Sequence, residues 1–152
     1  MTLRTLIPET TVVSLAYLAA FIVTFEVLMP VQALFFPEFS SRASLLFLPH
    51  GVRVLSAWLL GWRSVLALLP GVTIVFVYFA GLGALEPSRL AGIAIAVTVP
   101  AACFYLLRRM GWDLRPAPGR TPCWICIMTA GLLISFFTSP LTNYALGSGL
   151  ED

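Results

Sequence analysis

The sequence contains no lysine, and charged residues of any kind are scarce. All nine basic residues are arginines, and charged residues make up 11% of the 152-residue chain, against roughly 25% in soluble domains. Hydrophobic residues make up 59%, and the mean hydropathy is +0.95. Polar side chains are too few to cover a soluble protein of this size. The composition predicts an all-α, polytopic bundle of membrane helices, and the lack of lysine argues against a nucleic-acid partner.

The sequence also lacks the residue groups that most catalytic and metal sites need. His50 is the only histidine, and three cysteines are spread over the second half of the chain. The sequence has no phosphate-binding glycine loop, no Ser-His-Asp arrangement and no pair of carboxylates. A metal site needs several histidine, cysteine or carboxylate ligands close together. We therefore predict a protein that is not an enzyme and that holds no metal or cofactor.

Five apolar stretches are long enough to cross the membrane as helices within one integral membrane domain. Helices that cross roughly 30 Å of hydrocarbon are predicted at about residues 11–29, 43–60, 64–82, 89–107 and 122–139. Each stretch contains or ends in a proline, which is interpreted as a packing kink or as a break that lines a cavity. Arg4 precedes the first stretch as it would in a signal peptide. That stretch is longer than a typical signal core, and no small-residue cleavage site follows it, so we interpret it as a retained span.

Arginines are concentrated in the loops on one side of the predicted bundle. With the N-terminus inside, the inner loops hold Arg4, Arg63, Arg108, Arg109, Arg115 and Arg120, and the outer loops hold Arg42 and Arg89. Such a bias marks the cytoplasmic side. The pattern predicts a multi-pass protein of the bacterial inner membrane with a cytoplasmic N-terminus. The arginine-rich loop after the fourth span is interpreted as a contact with anionic lipids or as a docking site for a partner.

The second span is interrupted by the sequence Pro49-His50-Gly51-Val52-Arg53. A charge near the centre of a membrane helix costs about 3 kcal/mol or more. Glu26 is predicted at the same depth as Arg53, and spans joined by a short loop usually pack together. We therefore predict a Glu26–Arg53 ion pair. It either fixes the packing of two helices or belongs to a site that responds to a ligand or ion.

The residues that precede Arg53 add to this predicted polar site. His50 lies three residues before Arg53 and so shares its helix face. Pro49 leaves a backbone carbonyl free one turn earlier, and Gly51 gives access to the backbone. Together these groups are typical of a site for a small polar ligand or water, or of a proton-sensitive switch.

Cys123 and Cys126 have the C-x-x-C spacing found in redox sites and in half of a zinc site. They follow Pro122 at the predicted inner end of the fifth span, where a helix N-terminus lowers the pKa of a thiol. The first interpretation is a pair of buried structural cysteines. The alternatives are reversible acylation and redox sensing.

Residues 46–71 combine Leu46-Phe47-Leu48-Pro49-His50-Gly51-Val52 with Leu59-Leu60-Gly61-Trp62-Arg63 and Leu69-Pro70-Gly71. This segment resembles the opening of the MASE1 family of bacterial membrane sensor domains. The resemblance implies an integral sensory domain that binds a signal and acts on a cytoplasmic kinase or nucleotide-cyclase module. This chain is shorter and carries no such module, so the resemblance implies a separate output protein. It assigns no ligand residues.

These observations favour a small ligand-binding or sensory membrane protein that works with a partner. Its groove would lie between the first three spans, with Glu26, His50 and Arg53 as the polar floor. Two alternatives stay open, namely an accessory subunit of a larger membrane complex and a small transporter component. The expected partners are the lipid bilayer and another membrane protein or a separate output protein.

Overall fold

A computed structural model describes residues 2–38 and 48–147. Within these residues the chain forms helices and no β-strand. The elements are α1 (Leu3–Val23), a π-helical segment (Thr24–Leu28), α2 (Met29–Phe35), α3 (Leu48–Leu60), α4 (Arg63–Ala80), a 3-10 segment (Gly81–Leu85), α5 (Pro87–Arg109) and α6 (Trp124–Gly147). The prediction of an all-α membrane bundle is confirmed.

Four helical segments are long and apolar enough to cross a membrane. They are Leu3–Phe35, Arg63–Gly83, Pro87–Arg109 and Trp124–Ala145, and the chain is a multi-pass membrane protein. The second predicted span is described only as the 13-residue helix α3, about 20 Å long at 1.5 Å per residue. Residues 43–47 of that predicted span lie outside the described part of the chain.

The first membrane helix is longer than the predicted span 11–29. From Leu3 to Phe35 it forms one helical segment of 33 residues, about 50 Å long at 1.5 Å per residue. Pro8 and Pro30 lie within this segment, and the helix continues through both. Membrane helices tolerate proline in their interior. Because the segment exceeds the roughly 30 Å of hydrocarbon, counting residues from its end does not give the depth of a side chain.

A tight turn joins α3 to α4. Leu60 ends α3 and Arg63 begins α4, and Gly61 has a φ of 60°, a left-handed conformation that glycine adopts without steric cost. The helices α3 and α4 are therefore joined as a hairpin. The Arg63 guanidinium lies 2.7 Å from the Glu9 carboxylate, which places the start of α1 beside this turn.

Two apolar cores hold the bundle together. α1 packs mainly against α4, and α5 packs mainly against α6. One core joins α1, α4 and α5 and contains Tyr17, Leu68, Val72, Val75, Ile93, Ala96 and Val97. The other joins α3 to α6 and contains Val54, Trp58, Ile127 and Ile134. The helix α3 thus belongs to the second core and also contacts the first, against which Val52 packs.

The helices α1 and α4 approach each other closely at Ser14 and Gly71. The Ser14 hydroxyl donates to the Ala67 carbonyl at 2.8 Å and accepts from the Gly71 N–H at 3.3 Å. In a regular α-helix the Gly71 N–H would donate to the Ala67 carbonyl. The Ser14 hydroxyl forms hydrogen bonds with both of these groups. A Cβ on Gly71 would lie 3.1 Å from Ser14 Cα. Glycine after Pro70 therefore lets the two helices touch, as small residues do in membranes.

We expect Gly71→Ala to destabilise the fold by about 1–3 kcal/mol, because the added methyl group would push α1 away from α4. Gly51→Ala is the matched control, since a Cβ there would meet no atom within 4 Å. Unfolding in mixed micelles with increasing dodecyl sulfate, followed by circular dichroism, measures both changes. Equal effects of the two substitutions would show that the contact at Gly71 does not limit the packing.

Arginines lie mainly at one end of the described bundle. The start of α1, the turn at Gly61 and the loop after α5 share this end, which holds Arg4, Arg63, Arg108, Arg109, Arg115 and Arg120. Arg89 lies at the other end, at the start of α5. The arginine bias predicts that the first end faces the cytoplasm.

Cysteine labelling tests this orientation. After reduction, we expect a membrane-impermeant maleimide to label Cys123 and Cys126 in inside-out vesicles and not in right-side-out vesicles. The matched control is Glu86→Cys in a chain whose Cys123 and Cys126 are replaced by serine, and it should be labelled with the opposite preference. The reverse pattern would place the arginine-rich end outside.

Candidate functional site

An open cavity of about 630 Å³ lies where five helices meet. We call it the polar cavity, because most of the side chains that α1, α3 and α6 present to it carry hydroxyl, imidazole, amide or guanidinium groups. It is lined by Tyr17, Phe21, His50, Arg53, Val75, Phe76, Gly92, Ala96, Ser135, Thr138, Ser139, Thr142 and Asn143. None of these described lining residues is an aspartate or glutamate. The cavity thus combines one fixed positive charge with neutral hydrogen-bonding groups.

Arg53 has no acidic partner among the described residues. Its Nε is buried without a hydrogen-bond partner, and none of the ion pairs between described residues includes it. The Thr138 hydroxyl, on the cavity side of α6, is also buried and unpaired. Buried polar atoms are normally satisfied, because an unmade hydrogen bond in an apolar setting is costly. Two such atoms lie on the wall of the polar cavity.

His50 joins α3 to α6. Its Nε2 lies 3.1 Å from the Gly131 carbonyl oxygen and 2.8 Å from the Ser135 Oγ. A protonated Nε2 donates to the carbonyl, whereas an unprotonated Nε2 accepts from the serine hydroxyl. A serine within a helix commonly donates to the carbonyl four residues earlier. For Ser135 that carbonyl belongs to Gly131. His50 therefore replaces a local hydrogen bond of α6 by a contact between two helices.

The Ser135–His50 contact also resembles the start of a nucleophilic pair. Such a pair needs a third group that orients the base. No described residue forms a hydrogen bond with Nδ1 of His50. The contact joins α3 to α6 at the wall of the polar cavity.

A polar stripe on α6 completes the cavity, and the sequence prediction missed it. Ser135, Thr138, Ser139 and Thr142 follow the spacing i, i+3, i+4, i+7, which places them on one helix face. That spacing, in a helix that is otherwise apolar, was the signal that could have identified them. Tyr17 was also missed, and a single tyrosine in an apolar run gives no comparable signal.

The predicted Glu26–Arg53 ion pair is not formed in the described structure. Glu26 is exposed and borders a different cavity, of about 540 Å³, with Phe25 and Phe79. Arg53 instead shares the polar cavity with Tyr17, which precedes Glu26 by about 13 Å along the helix at 1.5 Å per residue. The prediction was wrong because it counted depth from the helix ends, and the first helix is longer than the membrane is thick.

The other residues of the predicted site also lie apart from the cavity. The Pro49 side chain is buried, and the carbonyl one turn before it belongs to residue 45, outside the described residues. Gly51 is exposed, and a Cβ there would meet no atom within 4 Å. Of the five predicted site residues, the polar cavity brings together only His50 and Arg53.

Cys123 and Cys126 form a disulfide with a Cα–Cα distance of 5.2 Å. Cys123 is exposed and Cys126 is half-buried, so the interpretation as buried structural cysteines is wrong. Cys103, in α5, is a free thiol. Among the described residues no group of three or more histidine, cysteine, aspartate or glutamate side chains is placed to hold a metal ion.

The loop between α5 and α6 is fixed to the end of the bundle. The Trp58 indole N–H donates to the Leu114 carbonyl. The Arg115 guanidinium donates to both oxygens of Asp113, at 2.7 and 2.9 Å. These hydrogen bonds hold the pKa of Asp113 well below its usual range, so this carboxylate stays ionised. The loop therefore has a defined path that leads into the disulfide.

No protein-family model, curated protein or solved structure matches the chain. The resemblance of residues 46–71 to the MASE1 sensors stays an expectation, and residues 46 and 47 lie outside the described part.

We expect His50 and Ser135 to be energetically coupled. In a double-mutant cycle of His50→Ala and Ser135→Ala, the coupling should be about 0.5–1.5 kcal/mol, the range for hydrogen bonds between membrane helices. Thr129→Ala is the matched control, because the Thr129 hydroxyl donates to Ile125 within its own helix at 2.8 Å. Additive effects of the His50 and Ser135 substitutions on unfolding in mixed micelles would argue against the contact.

Proposed function

We propose that this membrane protein binds a small anionic ligand in the polar cavity, through Arg53. The observation that carries the proposal is a buried guanidinium nitrogen without a partner, on a cavity whose described lining has no carboxylate. An arginine cannot be deprotonated to escape an apolar setting. Its charge therefore needs a counter-ion, and the cavity leaves space for one to come from outside the chain.

The neighbouring groups suit a carboxylate or a phosphate. A guanidinium presents parallel N–H groups that match two oxygens of either anion. The Tyr17 and Thr138 hydroxyls line the same cavity and are able to donate to an anion. The unpaired Thr138 hydroxyl supplies a donor that no other described residue uses. Charge from Arg53 and directional donors from α1 and α6 would thus act on one guest.

A ligand in this position would contact several helices at once. The cavity walls come from five helices, so a bound anion would favour the arrangement in which α1, α3 and α6 converge on it. A ligand shifts a conformational equilibrium by the difference in its affinity for the two states. We propose that this shift is the signal of a sensory membrane domain and that a separate output protein reads it. Co-purification of one stoichiometric partner in mild detergent tests whether a separate output protein binds this domain.

Anion-dependent stability tests the ligand site. In wild-type protein reconstituted in nanodiscs, we expect phosphate or acetate to stabilise the fold by about 2–3 kcal/mol at a concentration one hundred times Kd. Arg53→Gln should abolish this response. Arg89→Gln is the matched control, because Arg89 lies at a helix start, 3.6 Å from the Glu86 carboxylate, and this variant should respond like wild type.

Replacing neutral lipid by phosphatidylglycerol in the nanodiscs separates a lipid headgroup from a soluble anion. A headgroup ligand should stabilise wild type more than Arg53→Gln without added phosphate or acetate. If Arg53→Gln and Arg89→Gln respond alike to every anion, the polar cavity is not an anion site.

A further inference from the structure

The disulfide between Cys123 and Cys126 joins residues only three positions apart. A disulfide stabilises a fold mainly by restricting the unfolded chain, and the effect is smallest for short loops. This bond links no distant segments, because both cysteines lie at the start of α6. Stabilisation of the fold therefore gives little reason for a disulfide between Cys123 and Cys126.

The disulfide is accessible to another thiol. Cys123 is exposed, and the loop before it is fixed to the bundle through Trp58 and Leu114. The ring of the exposed Trp124, between the two cysteines, lies 6.1 Å from the ring of Trp58. The turn is thus held in place at the surface while its first sulfur stays open to attack.

The backbone at this turn favours a thiolate on Cys123. The Cys126 N–H points at the Cys123 sulfur, with the nitrogen 3.2 Å away. The free N–H groups at the start of the 24-residue helix α6 add a positive potential. A sulfur in such a setting is a better thiolate than an ordinary cysteine.

The position of the disulfide relative to the membrane also favours redox chemistry. It lies at the arginine-rich end, which the charge bias predicts to be cytoplasmic. Disulfides in the cytoplasm are rare, and those that form are usually transient and catalytic or redox-sensing.

We propose that Cys123 and Cys126 form a reversible redox site that exchanges two electrons with a cellular dithiol. A thiolate of the dithiol attacks the Cys123 sulfur, the bond between the two cysteines breaks, and Cys126 leaves as a thiolate that takes up a proton. The second thiol of the dithiol, losing its proton, then attacks the dithiol's own sulfur in the mixed disulfide and releases Cys123 as a thiolate. The protein gains two electrons and one proton, and the dithiol loses two protons and becomes a disulfide, so the second proton passes to solvent. This site is independent of the anion site proposed above.

Thiol counting in redox buffers tests the proposal. The full chain in nanodiscs is equilibrated with mixtures of reduced and oxidised dithiothreitol, quenched with acid and alkylated with a maleimide that shifts gel mobility. We expect wild type to pass from one free thiol to three in a single step, with unchanged helix content by circular dichroism. Cys103→Ser is the matched control, and it should pass from no free thiols to two in the same single step.

Single-cysteine variants test the roles of the two sulfurs. With oxidised glutathione, Cys126→Ser should form a mixed disulfide at Cys123 about tenfold faster than Cys123→Ser does at Cys126, because exposure and thiolate character favour Cys123. Equal rates would contradict the assigned roles. A disulfide that is reduced only after the fold is denatured, or two cysteines that stay free in every buffer, would overturn the proposal.

Discussion

The contact between Ser14 and Gly71 sets the geometry on which the polar cavity depends. It brings α1 so close to α4 that a Cβ on Gly71 would lie 3.1 Å from Ser14 Cα, and the serine hydroxyl forms hydrogen bonds with the backbone of the partner helix there. Tyr17 lies one turn further along α1 and reaches the cavity that Arg53 lines. Because membrane helices gain little from apolar contact with each other rather than with lipid, such close backbone contacts have a large share in fixing which helices meet.

The cavity itself concentrates polar groups in a chain that has few of them. His50 uses its imidazole to hold α3 against α6, whereas Arg53 and Thr138 keep unpaired atoms on the cavity wall. An intramembrane charge is retained only where a partner or a function offsets its cost. The two residues therefore differ, since the histidine joins two helices and the arginine Nε has no hydrogen-bond partner.

Helix α6 carries features of both proposed sites. Its first turn holds the disulfide, and the stripe from Ser135 to Thr142 lines the polar cavity several turns later. His50 also joins this helix to α3. The two proposed sites thus lie on one helix, at different positions along it.

The sequence by itself determined the membrane class and the helical fold, because composition and apolar length are local properties. It also identified His50 and Arg53, since a polar group inside an apolar run is conspicuous without any knowledge of its neighbours. The partners of these residues were decided only by the tertiary structure. Arg53 faces Tyr17 and not Glu26 because the offset between two packed helices depends on where their surfaces fit, as at Gly71, and not on the distance of a residue from the end of its helix. The exposure of Cys123 likewise follows from the path of the preceding loop, which is fixed by a contact between Trp58 and a residue 56 positions away.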